Sequence, residues 1–172
     1  MANSHTYLLV LYITISTLFN FPFACSTPLV ALAVVATLTL PVRIAFATVA
    51  LAWLINQFLG YGLLGYPITD TMSFVWGGII GASALVALAA CQFLSNKLPS
   101  THYLLTTAIL FAISFIAYQG SMFAMALAIG DSDGAFSLSI IGHVFATNAI
   151  AMPIYGATWI ALSKFKQAAA QT

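Results

Sequence analysis

Hydrophobic residues form six long stretches along the chain, and short polar or turn-forming segments separate them. The stretches run over Tyr7 to Asn20, Pro28 to Leu40, Ile44 to Leu59, Met72 to Ser95, His102 to Ile129 and Phe136 to Ser163. An α-helix crosses a bilayer with about 20 apolar residues, and none of the stretches alternates as the strands of a membrane β-barrel do. The pattern predicts an all-α, polytopic membrane bundle of six transmembrane helices, one domain over residues 1–172 with a short C-terminal tail at 164–172.

The second stretch fits this prediction least well. Pro28 to Leu40 makes only about 20 Å of helix, against about 30 Å of hydrocarbon, so it is either re-entrant or sheltered by its neighbours. Turn-forming residues from Asn20 to Pro28 and at Pro41 bracket it, which favours six spans. A single long bend before Arg43 would instead leave five spans.

Composition and charge place the chain in a membrane and orient it. Hydrophobic residues make up 62% of the chain and charged residues 4%, with a mean hydropathy of +1.06; this composition predicts a multi-pass protein of the inner (plasma) membrane, surrounded by the lipid bilayer. Lys and Arg near span ends stay in the cytoplasm, so the prediction puts both termini inside and the acidic loops outside. A net charge of +1 offers no basic patch for nucleic acid. The basic residues are Arg43, Lys97, Lys164 and Lys166, and the acidic ones are Asp70, Asp131 and Asp133.

The least lipid-like segment follows the third stretch, from Asn56 to Thr71. Asn56, Tyr61, Tyr66 and Asp70 make it a candidate ligand-facing loop on the outer side. The competing interpretation is structural: the tyrosines would form an interfacial aromatic belt, and Asp70 would cap the helix that begins near Met72.

Other polar residues lie inside the predicted spans. His143 and Asn148 are five residues apart on the sixth helix, and therefore about 140° apart around it. Interhelical hydrogen bonds are the favoured role for each, although a His143 that faced a cavity would be a versatile ligand group. Tyr118 and Gln119 are interpreted as packing contacts between helices, and Gly77 and Gly81 form a GxxxG pair on the fourth helix.

Cys25 is a candidate metal ligand, because a thiolate is a soft ligand for a transition metal and the Pro-flanked loop around it has no need of a thiol. A small apolar residue with no function is the alternative. The chain lacks paired nucleophile and base, a metal-binding His pair and a phosphate-binding loop, so we expect no enzyme and no tightly bound cofactor.

Three segments carry a family resemblance: Phe21-Pro22-Phe23 to Pro28, the short second helix with its Pro41-Val42-Arg43 turn, and the loop from Asn56 to Thr71 that leads to Trp76-Gly77-Gly78. Together they make the chain resemble a substrate-binding S component of the energy-coupling factor vitamin transporters. The resemblance implies a six-helix bundle that binds a vitamin with its outer loops, and a transmembrane coupling protein with ATPases at the inner face. The small cobalamin-specific members use a cysteine to ligate the corrinoid cobalt, which implies that role for Cys25.

The leading hypothesis is a membrane uptake protein that binds a vitamin, with cobalamin or another corrinoid as the leading ligand, in an outward-facing cavity and releases it inside. A non-catalytic accessory subunit of a larger membrane complex, docking through Gly77 and Gly81, is the alternative. The residues expected to contact the vitamin are Phe23, Asn56, Tyr61, Tyr66, Asp70, Trp76 and His143, with Cys25 on the cobalt.

Replacing Cys25 by Ser tests the ligand role. A serine hydroxyl is a much poorer cobalt ligand than a thiolate, so the variant should fold normally but lose any cobalt–thiolate absorption band on addition of a corrinoid. An absorption spectrum that is the same in wild type and Cys25→Ser would rule out cobalt ligation by this residue.

Overall fold

The structure is a computed structural model, and it describes residues 4–23, 26–98, 103–131 and 136–169. The described residues form six α-helices and no strands, which confirms the all-α membrane bundle. Each helix lies within a few residues of its predicted position, except that the last continues past Ser163 to Ala169, because Lys, Gln and Ala are good helix formers. The helices are α1 Ser4–Phe19, α2 Leu29–Thr39, α3 Val42–Gly62, α4 Thr71–Ser95, α5 Tyr103–Ile129 and α6 Leu138–Ala169.

Four of these helices, α3 to α6, are long and apolar enough to cross a membrane. The other two are shorter: α1 has 16 residues and α2 has 11. At 1.5 Å per residue, α2 is about 16 Å long and cannot cross the hydrocarbon by itself.

The short helix α2 lies at the centre of the bundle. It packs against each of the other five helices, and every residue from Leu29 to Ala36 is at most 5% exposed. A helix enclosed on all sides is apolar around its whole circumference, and its alanines let neighbouring backbones approach closely. Of the two interpretations of this segment, the structure shows the sheltered one.

Side chains from other helices satisfy the ends of α2. The amide oxygen of Asn148 on α6 accepts a hydrogen bond from the backbone N–H of Ala31 at 2.9 Å, and Asn148 itself is 1% exposed. At the other end, the Thr39 hydroxyl donates to the Val35 carbonyl at 2.7 Å and lies 3.1 Å from the Tyr12 hydroxyl on α1. Free N–H groups are expensive where water is absent, so the bond to Asn148 helps a short helix to begin inside the bundle.

The glycine pair on α4 is used within the chain. An added side chain on Gly77 would meet Gln57 of α3, and one on Gly81 would meet Trp53, also on α3. The Trp53 indole N–H donates to the Gly77 carbonyl at 2.8 Å. The GxxxG pair therefore brings α3 and α4 together, and this seam is already occupied by the protein's own side chains.

The charged groups separate along the bundle. Asp131 follows α5 and bonds to Trp76 near the start of α4, which places it at the same end as Asp70. Arg43 lies in the first turn of α3 and Lys97 in the turn after α4. The assignment of the acidic end to the outside remains a prediction from the sequence.

Asn148→Ala should destabilise the fold, because it leaves the buried N–H of Ala31 without a partner. We expect the free energy of unfolding in mixed micelles to fall by about 1–3 kcal/mol. Asn96→Ala is the matched control, since Asn96 is exposed at the end of α4 and bonds only within its own turn; its effect should stay within about 0.5 kcal/mol. Equal effects of the two substitutions would contradict the capping role.

Gly81→Ala and Gly78→Ala should have opposite consequences. A methyl group on Gly81 would collide with the Trp53 ring, whereas one on Gly78 would meet open space. We expect Gly81→Ala to cost about 1–3 kcal/mol of unfolding free energy, and Gly78→Ala to be neutral or slightly stabilising because alanine favours helix. A stable Gly81→Ala protein would show that α3 and α4 do not depend on this approach.

Candidate functional site

A cavity of about 500 Å³ lies at the end of the bundle that carries the acidic loops. Its floor is Leu29 at the start of α2, and its walls come from the end of α3, the start of α4, the middle of α5 and the start of α6. This volume is in the range of pockets that enclose a small organic molecule. Five of the residues predicted from the sequence line it: Asn56, Tyr61, Tyr66, Trp76 and His143.

Asn56 is fixed by a hydrogen-bonded group of three polar side chains. Its amide nitrogen donates to the amide oxygen of Asn20 at 3.2 Å and to the Thr27 hydroxyl. The Thr27 hydroxyl in turn donates to the same Asn20 oxygen at 2.7 Å. The amide nitrogen of Asn56 is thus engaged within the protein, and its carbonyl oxygen is the group that it can offer to a ligand.

His143 is oriented by the loop that precedes α2. Its Nε2 lies 3.2 Å from the backbone carbonyl oxygen of Phe23. A carbonyl can only accept, so Nε2 carries a proton and donates it to Phe23, and Nδ1 is the ring nitrogen left for a ligand. The side chain is exposed, which makes His143 accessible at the cavity wall.

The two tyrosines are held by a turn after α3. Gly65 has a φ of 75°, a conformation that favours glycine, and it turns the chain so that the Tyr66 N–H bonds to the Gly60 carbonyl at 3.0 Å. A side chain at Gly60 would overlap the Tyr66 ring. The Tyr61 and Tyr66 rings then meet edge to face with centroids 5.6 Å apart, a favourable aromatic geometry.

Trp76 is held at the mouth of the cavity by the loop after α5. Gly130, with a φ of 72°, ends α5 in a Schellman motif, in which the Asp131 N–H bonds to the Ala126 carbonyl at 3.1 Å. This motif directs the Asp131 carboxylate to the Trp76 indole N–H, which donates to it at 2.8 Å. The indole therefore presents a fixed flat surface to the cavity.

Two predicted contact residues do not line the cavity. Phe23 contributes its backbone carbonyl to His143, while its ring stacks on Phe19 with centroids 5.2 Å apart. Asp70 is exposed and accepts a hydrogen bond from the Met72 N–H at 3.0 Å, which confirms the capping interpretation. Cys25 lies outside the described residues, so its ligand role stays a prediction.

Sequence reasoning missed Tyr118 as a site residue. It was assigned to helix packing, yet it lines the cavity from the middle of α5 and is only 7% exposed. Met122, one turn further along α5, lines the same wall. The four-residue spacing puts both on one face of the helix, but the sequence does not say which way that face points.

The wall of the cavity is aromatic and amide-rich, and among the described residues no charged side chain lines it. Nor do three or more His, Cys, Asp or Glu side chains come together anywhere in the described ranges to form a metal site. The arrangement is suited to holding a flat, partly apolar molecule by stacking and a few directed hydrogen bonds. Comparisons with protein-family models, with curated proteins and with solved structures found no match to this chain.

Proposed function

We propose that this protein is a membrane uptake protein that binds a vitamin-sized, ring-containing molecule in the cavity and releases it at the opposite face. The observation that carries the proposal is the cavity itself, which gathers aromatic rings and oriented amide and imidazole groups at one end of a membrane bundle. A purely structural bundle would gain stability by filling such a volume with side chains. The polar groups that line the cavity instead support a role in ligand binding.

The size of the cavity bears on which vitamin is bound. A volume of about 500 Å³ suits a compact ligand of drug-like size, whereas a corrinoid is a larger molecule. The proposal is therefore a compact vitamin with one or two fused rings, in preference to cobalamin. Cobalamin remains the ligand that the resemblance implies, and the Cys25→Ser spectrum tests it.

The resemblance to energy-coupling factor S components supports a partner at the basic end. Under this proposal a transmembrane coupling protein with ATPases docks at the end marked by Arg43 and Lys97, and it drives the rearrangement that opens the cavity inward. The accessory-subunit alternative loses its proposed docking seam, because Gln57 and Trp53 already cover Gly77 and Gly81.

The test is ligand retention by the purified protein in lipid nanodiscs. The protein is dialysed against a mixture of water-soluble vitamins that includes cyanocobalamin, and the retained compounds are identified by mass spectrometry. We expect one compact, ring-containing vitamin to be retained, and Trp76→Ala to weaken its binding about tenfold or more, because the stacking surface is lost.

Phe58→Ala is the control for this variant. Phe58 is 77% exposed on the outer surface of α3 and does not line the cavity, so its removal should leave binding unchanged. A protein that retains no vitamin would contradict the uptake function. Retention of cyanocobalamin would instead contradict the argument from cavity size.

A further inference from the structure

Charge is absent from the described wall of the cavity. The nearest acidic side chain, Asp131, is hydrogen-bonded to Trp76 at the mouth, and Asp70 is exposed and caps α4. The basic residues of the described chain lie towards the other end of the bundle. A charged ligand would have to leave water without a counter-charge, which is unfavourable in a membrane-embedded site.

Two groups at the wall can accept hydrogen bonds from a ligand. The amide nitrogen of Asn56 is engaged with Asn20 and Thr27, so its carbonyl oxygen is left. His143 has given its Nε2 proton to the Phe23 carbonyl, so Nδ1 is left. Acceptors at the Asn56 amide oxygen and at His143 Nδ1 favour a ligand that donates hydrogen bonds, and they repel the oxygens of a carboxylate or phosphate.

Two of the N–H groups at the N-terminus of α2, where an anion could bind, are used by the protein itself. The Leu29 N–H bonds to the Thr27 carbonyl at 2.8 Å, and the Ala31 N–H bonds to Asn148 at 2.9 Å. Helix N-termini bind anions through free N–H groups. The N–H groups of Leu29 and Ala31 already have hydrogen-bond partners within the protein.

Tyr118 adds a hydroxyl group to the wall of the cavity. More than nine-tenths of the residue is buried, it lines the cavity, and its hydroxyl has no hydrogen-bond partner within the described part of the chain. A hydroxyl at the wall of a cavity can bond to a polar group of a bound ligand. Because the hydroxyl can donate as well as accept, it complements the two acceptors.

We infer that the cavity selects an uncharged ring molecule that donates hydrogen bonds to Asn56 and His143. The Tyr118 hydroxyl then forms a hydrogen bond with a neutral polar group of this molecule. This inference rests on the uptake function proposed above and narrows its substrate class. Tyr118 is then a specificity-determining residue that touches the ligand.

The experiment compares matched probes that differ in charge. Nicotinamide, nicotinate and 1-methylnicotinamide form a neutral, anionic and cationic set of almost equal size, and biotinamide and biotin form a second neutral and anionic pair. Each probe is titrated into the full-length protein in nanodiscs, and binding is followed by calorimetry and by the fluorescence of the tryptophans, which include Trp76. We expect the neutral member of a set to bind about tenfold or more tightly than its charged counterparts.

Tyr118→Phe removes only the hydroxyl. We expect it to weaken binding of the neutral probe about tenfold while leaving thermal stability unchanged or higher, because the hydroxyl has no protein partner to lose. Tyr103→Phe, an exposed position at the far end of α5, is the matched control and should change neither quantity.

The outcomes separate the two proposals. Tighter binding of nicotinate, 1-methylnicotinamide or biotin than of the neutral partner, or a Tyr118→Phe protein that binds as wild type does, would overturn the inference and leave the uptake function standing. Failure of every probe to bind the wild-type protein would also overturn the inference, whereas the uptake function is contradicted only if the retention experiment finds no vitamin at all.

Discussion

The bundle depends on burying a helix that is too short to cross the membrane. With 11 residues, α2 is too short to cross the hydrocarbon, where each unsatisfied backbone group costs several kcal/mol. Asn148 supplies an acceptor at its N-terminal end, and Thr39 with Tyr12 supplies bonds at the other. Five surrounding helices remove the rest of its surface from lipid. Asn148 lies on α6 and Tyr12 lies on α1, so these two helices must pack where the two side chains can reach α2.

The same constraint creates the candidate site. A helix of about 16 Å surrounded by helices such as α4, about 37 Å long, cannot fill the whole depth of the bundle. The unfilled volume lies beyond Leu29, the residue that starts α2 and forms the floor of the cavity. The loop before α2 covers part of this space and fixes two wall residues, Asn56 through Thr27 and His143 through Phe23. The central helix and the candidate cavity are therefore two results of one short hydrophobic segment.

Hydrophobic patterning predicted the helices because span length and turn residues are local properties of the chain. It also identified five residues of the cavity wall, since amides and tyrosines grouped at one end of a lipid-like sequence are conspicuous. The burial of α2 was open, because an apolar helix looks alike in lipid and in a protein core. Tyr118 was missed for a related reason: its rotation towards the cavity is decided by how α5 packs. Asp70 could be interpreted as a cap or as a ligand contact, and only the bond to Met72 distinguishes them.

For an uptake protein, the way the helices are joined limits how the cavity can open. In the described chain α6 packs mainly on α2 and more lightly on α1. It contacts α5 through aromatic side chains, among them Phe145 against Phe115, and the two helix backbones do not pack closely. By contrast, α4 packs closely along α5 and also contacts α3. Separating α6 from the other helices would therefore break the fewest packed contacts, but it must break the bond from Asn148 to Ala31. Since His143 lies on the same helix, five residues before that bond, a ligand held by His143 acts on the element that closes the end of α2. Under the proposed function, ligand binding and the stability of the central helix are connected through this segment of α6.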